Sequence, residues 1–215
     1  MSANGAVETL EVERKYAVTS EAVLPSAAAF ERVGFTPTSP ESCALEATYF
    51  DTPDGDLGRQ RVAVRVRAGG KDEGWHMKLK GADGSRELVW PLGAEMPDGL
   101  RREIVDRIGA EATDRLIAVA TLHTTRTITR LLDATGAWRV ELADDAVVAV
   151  NGLTGGRDAW REWEAELAPD AAEALLDRVE PLLVAAGAKR VRGTSKLQRA
   201  LGRPASPVHD DSGTP

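Results

Sequence analysis

The chain reads as an α+β protein built on an eight-stranded antiparallel β-barrel, a tunnel with a polar, charged lumen and α-helices on its flanks. Three observations predict this. Short segments rich in Val, Thr, Ile and Trp recur with period-two alternation. Most carry charges of mixed sign on one face and apolar residues on the other. Turn-forming runs separate neighbours at distances that suit an antiparallel meander.

The first strand contains Glu11-Val12-Glu13-Arg14-Lys15-Tyr16, where Glu11, Glu13 and Lys15 share a face because side chains alternate across a strand. Taken alone, such a face belongs in solvent. Ser20 to Gly34 predicts a helix, with Pro25 in an early turn and Gly34 as its stop. Leu45 to Phe50 predicts a strand, closed by the turn formers Asp51 to Gly55, in which Asp51 is a turn carboxylate. Arg61 to Arg67 alternates strictly, with Val62, Val64 and Val66 opposite Arg61, Arg65 and Arg67. Trp75 to Lys80 alternates again, with Lys78 and Lys80 opposite Trp75, Met77 and Leu79. A turn at Gly81 to Gly84 leads into a strand from Ser85 to Trp90.

From Pro97 to about Leu122 the apolar spacing predicts helix, divided at Gly109. Thr124 to Leu132 returns to strand, with Arg126 and Arg130 on one face. Trp138 to Ala143 follows, and Glu141 and Asp145 share a parity, which favours Asp145 over Asp144. After a loop from Asn151 to Gly156, the strand from Trp160 to Leu167 puts Glu162, Glu164 and Glu166 on one face. Pro169 opens a helix to Gly187, Lys189 to Val191 makes a short strand, and Ser195 to Arg199 a helical turn. Residues 1–202 form one domain by this reading, and 203–215, rich in Pro, Ser and Asp, a disordered tail or linker.

At 215 residues, 42% hydrophobic and 28% charged, the chain suits one globular domain. No apolar run reaches the roughly 20 residues that span a bilayer, so no membrane partner and a cytoplasmic location are expected. The net charge of −7 argues against a nucleic-acid surface. Cys43 is the single cysteine, and His76, His123 and His209 lack ligand spacing, so a metal here is held by oxygen, as Mg²⁺ or Mn²⁺.

Either these faces all meet solvent or the sheet closes and they meet each other. Closure of eight strands leaves a lumen for side chains and one small ligand. The basic set is then Lys15, Arg65, Arg67, Lys78, Lys80, Arg126, Arg130 and Lys196; the acidic set is Glu11, Glu13, Glu87, Asp145, Glu162, Glu164 and Glu166. Guanidinium forks bind phosphate oxygens and carboxylates bind a hard cation, so the two sets match a polyphosphate site. Trp75, Trp90 and Trp160 sit at apolar-face positions and read as core.

The set Glu11-x-Glu13-x-Lys15, Tyr49-Phe50-Asp51-Thr52, Arg65-x-Arg67, Lys78-x-Lys80, Arg86-Glu87, Arg126, Asp145, Glu162-x-Glu164 and Ser195-Lys196 resembles, in order, the CYTH family of triphosphate tunnel metalloenzymes. The resemblance implies metal-dependent hydrolysis of a triphosphate. Glu11, Glu13 and members of Glu162, Glu164 and Glu166 would hold the metal. Lys15, Arg65, Arg67, Lys78, Arg126 and Lys196 would bind phosphate oxygens. Glu87 and Asp145 would hold a second metal or orient the attacking water, with Lys15 beside them. Lys80 and Arg130 are outer phosphate contacts or ion-pair partners, and Glu141 an arginine's partner. The implied substrate is inorganic triphosphate or polyphosphate. Thiamine triphosphate, cyclisation of ATP and polyphosphate binding without turnover are the alternatives. A CHAD domain and a homodimer are the implied protein partners.

Overall fold

The computed structural model describes residues 5–81, 84–193 and 195–202. The stretch read as a tail, His209 within it, lies outside those residues. The chain opens with β1 (Val7–Glu11) and β2 (Glu13–Val18), separated by Val12 alone, then α1 (Ala27–Arg32), β3 (Thr36–Pro37) and β4 (Glu41–Asp51). Next come α2 (Asp56–Arg59), β5 (Val62–Ala68), β6 (Gly74–Lys80), β7 (Ser85–Trp90), α3 (Asp98–Ile108) and α4 (Ala110–Thr113). The second half holds β8 (Ile117–Leu132), β9 (Trp138–Asn151), β10 (Arg157–Leu167), α5 (Ala174–Ala185), β11 (Lys189–Val191) and α6 (Lys196–Ala200).

The strands form one antiparallel sheet in the order β1-β7-β6-β5-β4-β8-β9-β10-β2-β11, with β3 on β8. The hydrogen-bonded path is open. What bridges it is the chain itself at Val12: Glu11 pairs with Ser85 of β7, while Glu13 pairs with Glu166 of β10. The Val12 carbonyl accepts from the Leu167 amide at 3.0 Å. Counted as one bent strand, β1 and β2 join β4 to β10 in a tunnel wall of eight strands. An ion pair across the interior, from Lys78 of β6 to Glu13 of β2, shows that the sheet curls on itself.

Two cores lie outside the wall, where the alternate side chains point. Tyr16, Leu131, Val140, Leu142, Trp163 and Ala165 pack beneath α1 and α5, against Phe30, Leu176, Val179 and Leu183. Val62, Val64, Trp75, Met77, Leu88 and Trp90 pack with Leu57 of α2 and with Leu100 and Ile104 of α3. Trp75 also lies 5.3 Å from the Phe50 ring, so Trp75 and Trp90 are core residues. A third core occupies the inner face itself: Ala47, Tyr49, Leu122, Val147, Ala149 and Trp160 are covered by Leu197 and Ala200 of α6.

Four sequence expectations need correction. Helix covers only Ala27–Arg32 of the 20–34 stretch, because Pro25 sits ahead of it in extended chain. The expected helix from Pro97 to Leu122 stops in α4 at Thr113, and β8 begins at Ile117: Val119 is an extra residue in β8, bulged where Tyr49 pairs with Ala120 and Phe50 with Ala118, and it changes which residues face inward. Arg61 is exposed and left-handed, with φ 59, ahead of β5 rather than on its face. Trp160 is buried, but on the glutamate face of β10: its indole Nε1 donates to Glu162 at 2.6 Å. Asp51 is the turn carboxylate expected, accepting from the amides of Thr52, Leu57 and Gly58 at 2.8, 2.9 and 3.0 Å.

Trp163 is 1% exposed at the centre of the α5 core. Trp163→Ala is expected to cost about 3–5 kcal/mol of unfolding free energy in a urea titration; a cost below about 1 kcal/mol would contradict this packing.

Candidate active site

The inner faces of β2, β8, β9 and β10 bring together the most densely paired charges. Glu164 is the hub. Its carboxylate accepts from Lys15, from Lys196 at 2.7 Å and from Arg126 at 2.7 Å. Arg126 also forks onto Asp145 through Nε at 2.8 Å and Nη2 at 2.6 Å, the bidentate geometry that suits guanidinium to planar oxyanions. Lys196 Nζ lies 2.9 Å from Asp145, 2.7 Å from Glu162 and 2.7 Å from Glu164. One carboxylate oxygen from each of those three residues falls within 4.8 Å of the others. The ammonium thus sits where three carboxylates converge.

Lys196 arrives there by local sequence. Ser195 caps α6, accepting from the Gln198 amide at 3.2 Å, and Gln198 Oε1 accepts from the Ser195 amide at 2.9 Å. This capping box fixes the helix start one residue before Lys196. The apolar side of the same turn, Leu197 and Ala200, seats it on the inner face.

Across the lumen, Lys78 pairs with Glu11 and, at 2.8 Å, with Glu13, whose second oxygen takes Lys15 at 2.8 Å. Glu87 is buried and accepts from Arg65 at 3.2 Å. His76 Nδ1 lies 3.1 Å from the same oxygen. Arg65 Nη1 also donates to the Tyr49 hydroxyl at 3.2 Å.

Burial raises Glu11, Glu13, Glu87, Asp145, Glu164 and Glu166, and the neighbours decide the outcome. Against burial, Lys15 and Lys78 hold Glu13 down to about 2, and Lys15, Lys196 and Arg126 hold Glu164 well below the usual range. Lys196 and Arg126 hold Asp145 down likewise, and His76 and Arg65 do so for Glu87. Glu11 goes the other way. Burial and the neighbouring Glu87 push it up to about 8, against the pull of Lys78. Glu166 rises to about 7 through burial and repulsion from Glu13 and Glu164.

The expected site residues therefore divide. Glu11, Glu13, Lys15, Arg65, Lys78, Glu87, Arg126, Asp145, Glu162, Glu164 and Lys196 form a connected set. Arg67 borders it: burial and the nearby Arg65 and Arg126 pull its pKa down to about 10, while its guanidinium donates to the Asp72 carbonyl at 3.2 and 3.1 Å. Glu166 faces the same lumen without a hydrogen-bonded cation among the described residues. Lys80 lies outside the cluster on Gln198 Oε1 at 3.2 Å. Arg130 pairs with Glu141 at 3.0 Å and stacks on Trp138, so both members serve each other. Asp144 is committed to Arg161 at 2.7 and 2.6 Å, which leaves Asp145 as the aspartate within the cluster. His76 and Tyr49 were not expected among these residues; His76 shares its parity with Lys78 and Lys80, which is the signal that marks it.

A groove of about 1130 Å³ crosses the sheet at Leu45, Thr124, Val147 and Trp160, adjacent to this cluster. It is lined mainly by small and apolar residues, and the chemistry lies with the ion-paired set instead. No helix among the described residues is long and apolar enough to cross a membrane.

A curled antiparallel wall enclosing opposed sets of carboxylates and cations defines a tunnel-like protein with a charged interior. The chain belongs to the CYTH domain family, whose model matches residues 9–201. It is similar to the Mycobacterium tuberculosis proteins Rv2226 and MT2285, each 38% identical over 230 aligned positions that cover 93% of this chain and 44% of theirs. The chain thus spans less than half the length of those relatives. Among solved structures it is similar to an adenylate cyclase-like protein of Bacillus halodurans, with a TM-score of 0.59 and 20% identity over 89% of this chain and 97% of that one. It is also similar to HpAC1 of Hippeastrum, an adenylyl cyclase candidate described as having a dominant triphosphatase activity, with a TM-score of 0.54 and 18% identity over 90% and 97% of the two chains.

Glu166 supplies a test of the lumen electrostatics. Its raised pKa means that the metal-free fold binds a proton the unfolded chain releases near pH 4.5, so this group's ionisation costs stability as pH rises from about 4.5 to about 7 and no more above that. Glu166→Gln removes the cost. The melting temperature of the variant, measured in EDTA, is expected to exceed that of wild type by more at pH 8 than at pH 5; an equal difference at both would place Glu166 in solvent.

Proposed function

We propose that this chain hydrolyses inorganic triphosphate to pyrophosphate and phosphate with a divalent cation, Mg²⁺ or Mn²⁺. The observation that carries the reading is the convergence of Asp145, Glu162 and Glu164 on one ammonium, inside a ring of further cations. That donor set is all oxygen, as hard divalent ions require, and a positive group already occupies the point where the three meet. Family membership and the activity ascribed to the Hippeastrum protein support a triphosphate substrate.

On this reading Asp145, Glu162 and Glu164 would hold the cation, with Glu11 and Glu13 on the facing wall and Glu166 beside them. The bound ion supplies charge neutralisation and polarisation of a phosphoryl group. The chain's own part is to bind and align. Lys15, Arg65, Arg67, Lys78, Arg126 and Lys196 take phosphate oxygens, and Arg126 does so with the fork it presents to Asp145. Lys80 and Arg130 stay with their protein partners. Glu87 stays ionised, so it accepts a hydrogen bond from the attacking water and directs its lone pair at the terminal phosphorus. The new P–O bond forms as the bridging P–O bond breaks, pyrophosphate leaves, and the water's proton passes to the phosphate products. Lys15, between Glu13 and Glu164, is placed to follow the charge that builds on the leaving oxygens.

Phosphate release is to be measured from inorganic triphosphate, thiamine triphosphate and ATP, with Mg²⁺, Mn²⁺ or EDTA. Release from inorganic triphosphate is expected, abolished by EDTA and reduced about 100-fold or more in Glu164→Gln, with the fold retained. Release mainly from an organic triphosphate would change the substrate. Tight binding of polyphosphate without release from any compound would make the chain a binding module.

A further inference from the structure

His76 is buried at 1% exposure in the middle of β6, and both of its ring nitrogens are engaged. Nε2 lies 2.9 Å from the backbone carbonyl of Asp72, and Nδ1 lies 3.1 Å from Glu87 Oε1. The Asp72 carbonyl and an ionised Glu87 can each only accept, so in this geometry both ring nitrogens carry a hydrogen and the ring is the imidazolium, which burial and the nearby Arg65 and Arg67 oppose and Glu87 favours. The Asp72 carbonyl also takes Nε and Nη2 of Arg67, which anchors the β5–β6 connection to the wall at that one oxygen. The oxygen that faces Nδ1 is the one that takes Arg65 Nη2, so Arg65 and His76 together fix the orientation of Glu87. Of these, Arg65 belongs to the set that binds substrate in the proposed reaction. His76 does not reach the lumen's cations, and its other end is tied to backbone.

We propose that His76 is a positioning residue: its Nδ1–H donates to Glu87 and holds that carboxylate in place for the attacking water, braced by the Nε2–H bond to Asp72. This rests on the hydrolytic role proposed for Glu87. It makes a division of labour in which Glu87 keeps its orientation when Arg65 turns to a phosphate oxygen.

The two ends of the ring can be separated. In His76→Asn the side-chain amide falls near the Nδ1 position and keeps a donor for Glu87; in His76→Gln it falls near Nε2 and keeps only the Asp72 bond. Steady-state kinetics on inorganic triphosphate with Mg²⁺ or Mn²⁺ are expected to show kcat reduced by about 10-fold or more in His76→Gln. In His76→Asn kcat should be substantially restored, and KM should stay close to wild type in both. A merely structural histidine would affect both variants alike or act through stability, so equal kcat values, or an effect confined to KM, would overturn the proposal. Independently of turnover, ¹H–¹⁵N spectra of the metal-free protein should show a slowly exchanging Nδ1–H of His76 that is lost in Glu87→Gln. A wild-type ring carrying no hydrogen on Nδ1 would overturn it as well. Wild type without turnover but with that signal would remove the hydrolytic reading of Glu87, and the catalytic part of this inference with it, while leaving the His76–Glu87 bond established.

Discussion

The structure depends on neutralising buried charge inside a wall of strands. An isolated ion drawn from water into such an interior costs several kcal/mol even after relaxation, so an unpaired lumen of carboxylates would not close. Glu164 shows how the cost is met. It is 7% exposed, yet three cations from β2, β8 and α6 converge on it, and each of them also serves another carboxylate. The resulting mesh joins strands that are distant in sequence. It also explains why the two larger helical cores lie outside: where the inner faces are committed to ions, apolar packing is left to the outer faces and to the patch of inner face under α6.

The open hydrogen-bond path gives this mesh a structural task. Between β7 and β10 the wall is continued by the bent β1–β2 strand, and at the bend Glu11 and Glu13 lie on the inner side, both held by Lys78 of β6. Ion pairing therefore acts where ladder hydrogen bonding changes partner. On the far side Arg14, pointing outward from the same strand, grips Asp177 and Glu180 of α5 at 2.6 Å each. Alternate residues of β2 thus tie it to the interior and to the covering helix.

Much of this was legible because strand parity is a local property. Glu11, Glu13 and Lys15, or Glu162 and Glu164, reveal a shared face within five residues, and repetition in other strands implies that those faces meet. What was not legible depends on contacts between distant segments. Ile117 and Val119 continue the broken apolar spacing of Ile104, Ile108 and Leu116 that reads as helix, yet the stretch from Ile117 to Leu122 is a strand, whose bulged pairing with β4 buries successive residues rather than alternate ones. Trp160 looked like core by its chemistry, although its parity is that of Glu162; α6 supplies an apolar lid on the inner face that no local pattern announces. Arg130 and Lys80 had the right parity and still fall outside the cluster, since Glu141 and Gln198 lie nearer to them. His76 was set aside for lacking metal-ligand spacing, a criterion that cannot detect a histidine whose partner is a carboxylate on the next strand.

Mixed sign is also what reconciles a stable lumen with the proposed substrate. A purely basic tunnel would attract a polyanion but repel itself, and a purely acidic one would hold metal but exclude phosphate. With cations and carboxylates interleaved, each side can exchange its present partner for a complementary one: the guanidinium and ammonium groups for phosphate oxygens, the carboxylates for a divalent ion. Charge stays paired throughout such an exchange. The group that must give way most fully is Lys196, because its ammonium sits at the meeting point of Asp145, Glu162 and Glu164. Its position on the first residue of a short capped helix suits that, since the ammonium can swing on its side chain while Ser195 and Leu197 keep the helix seated.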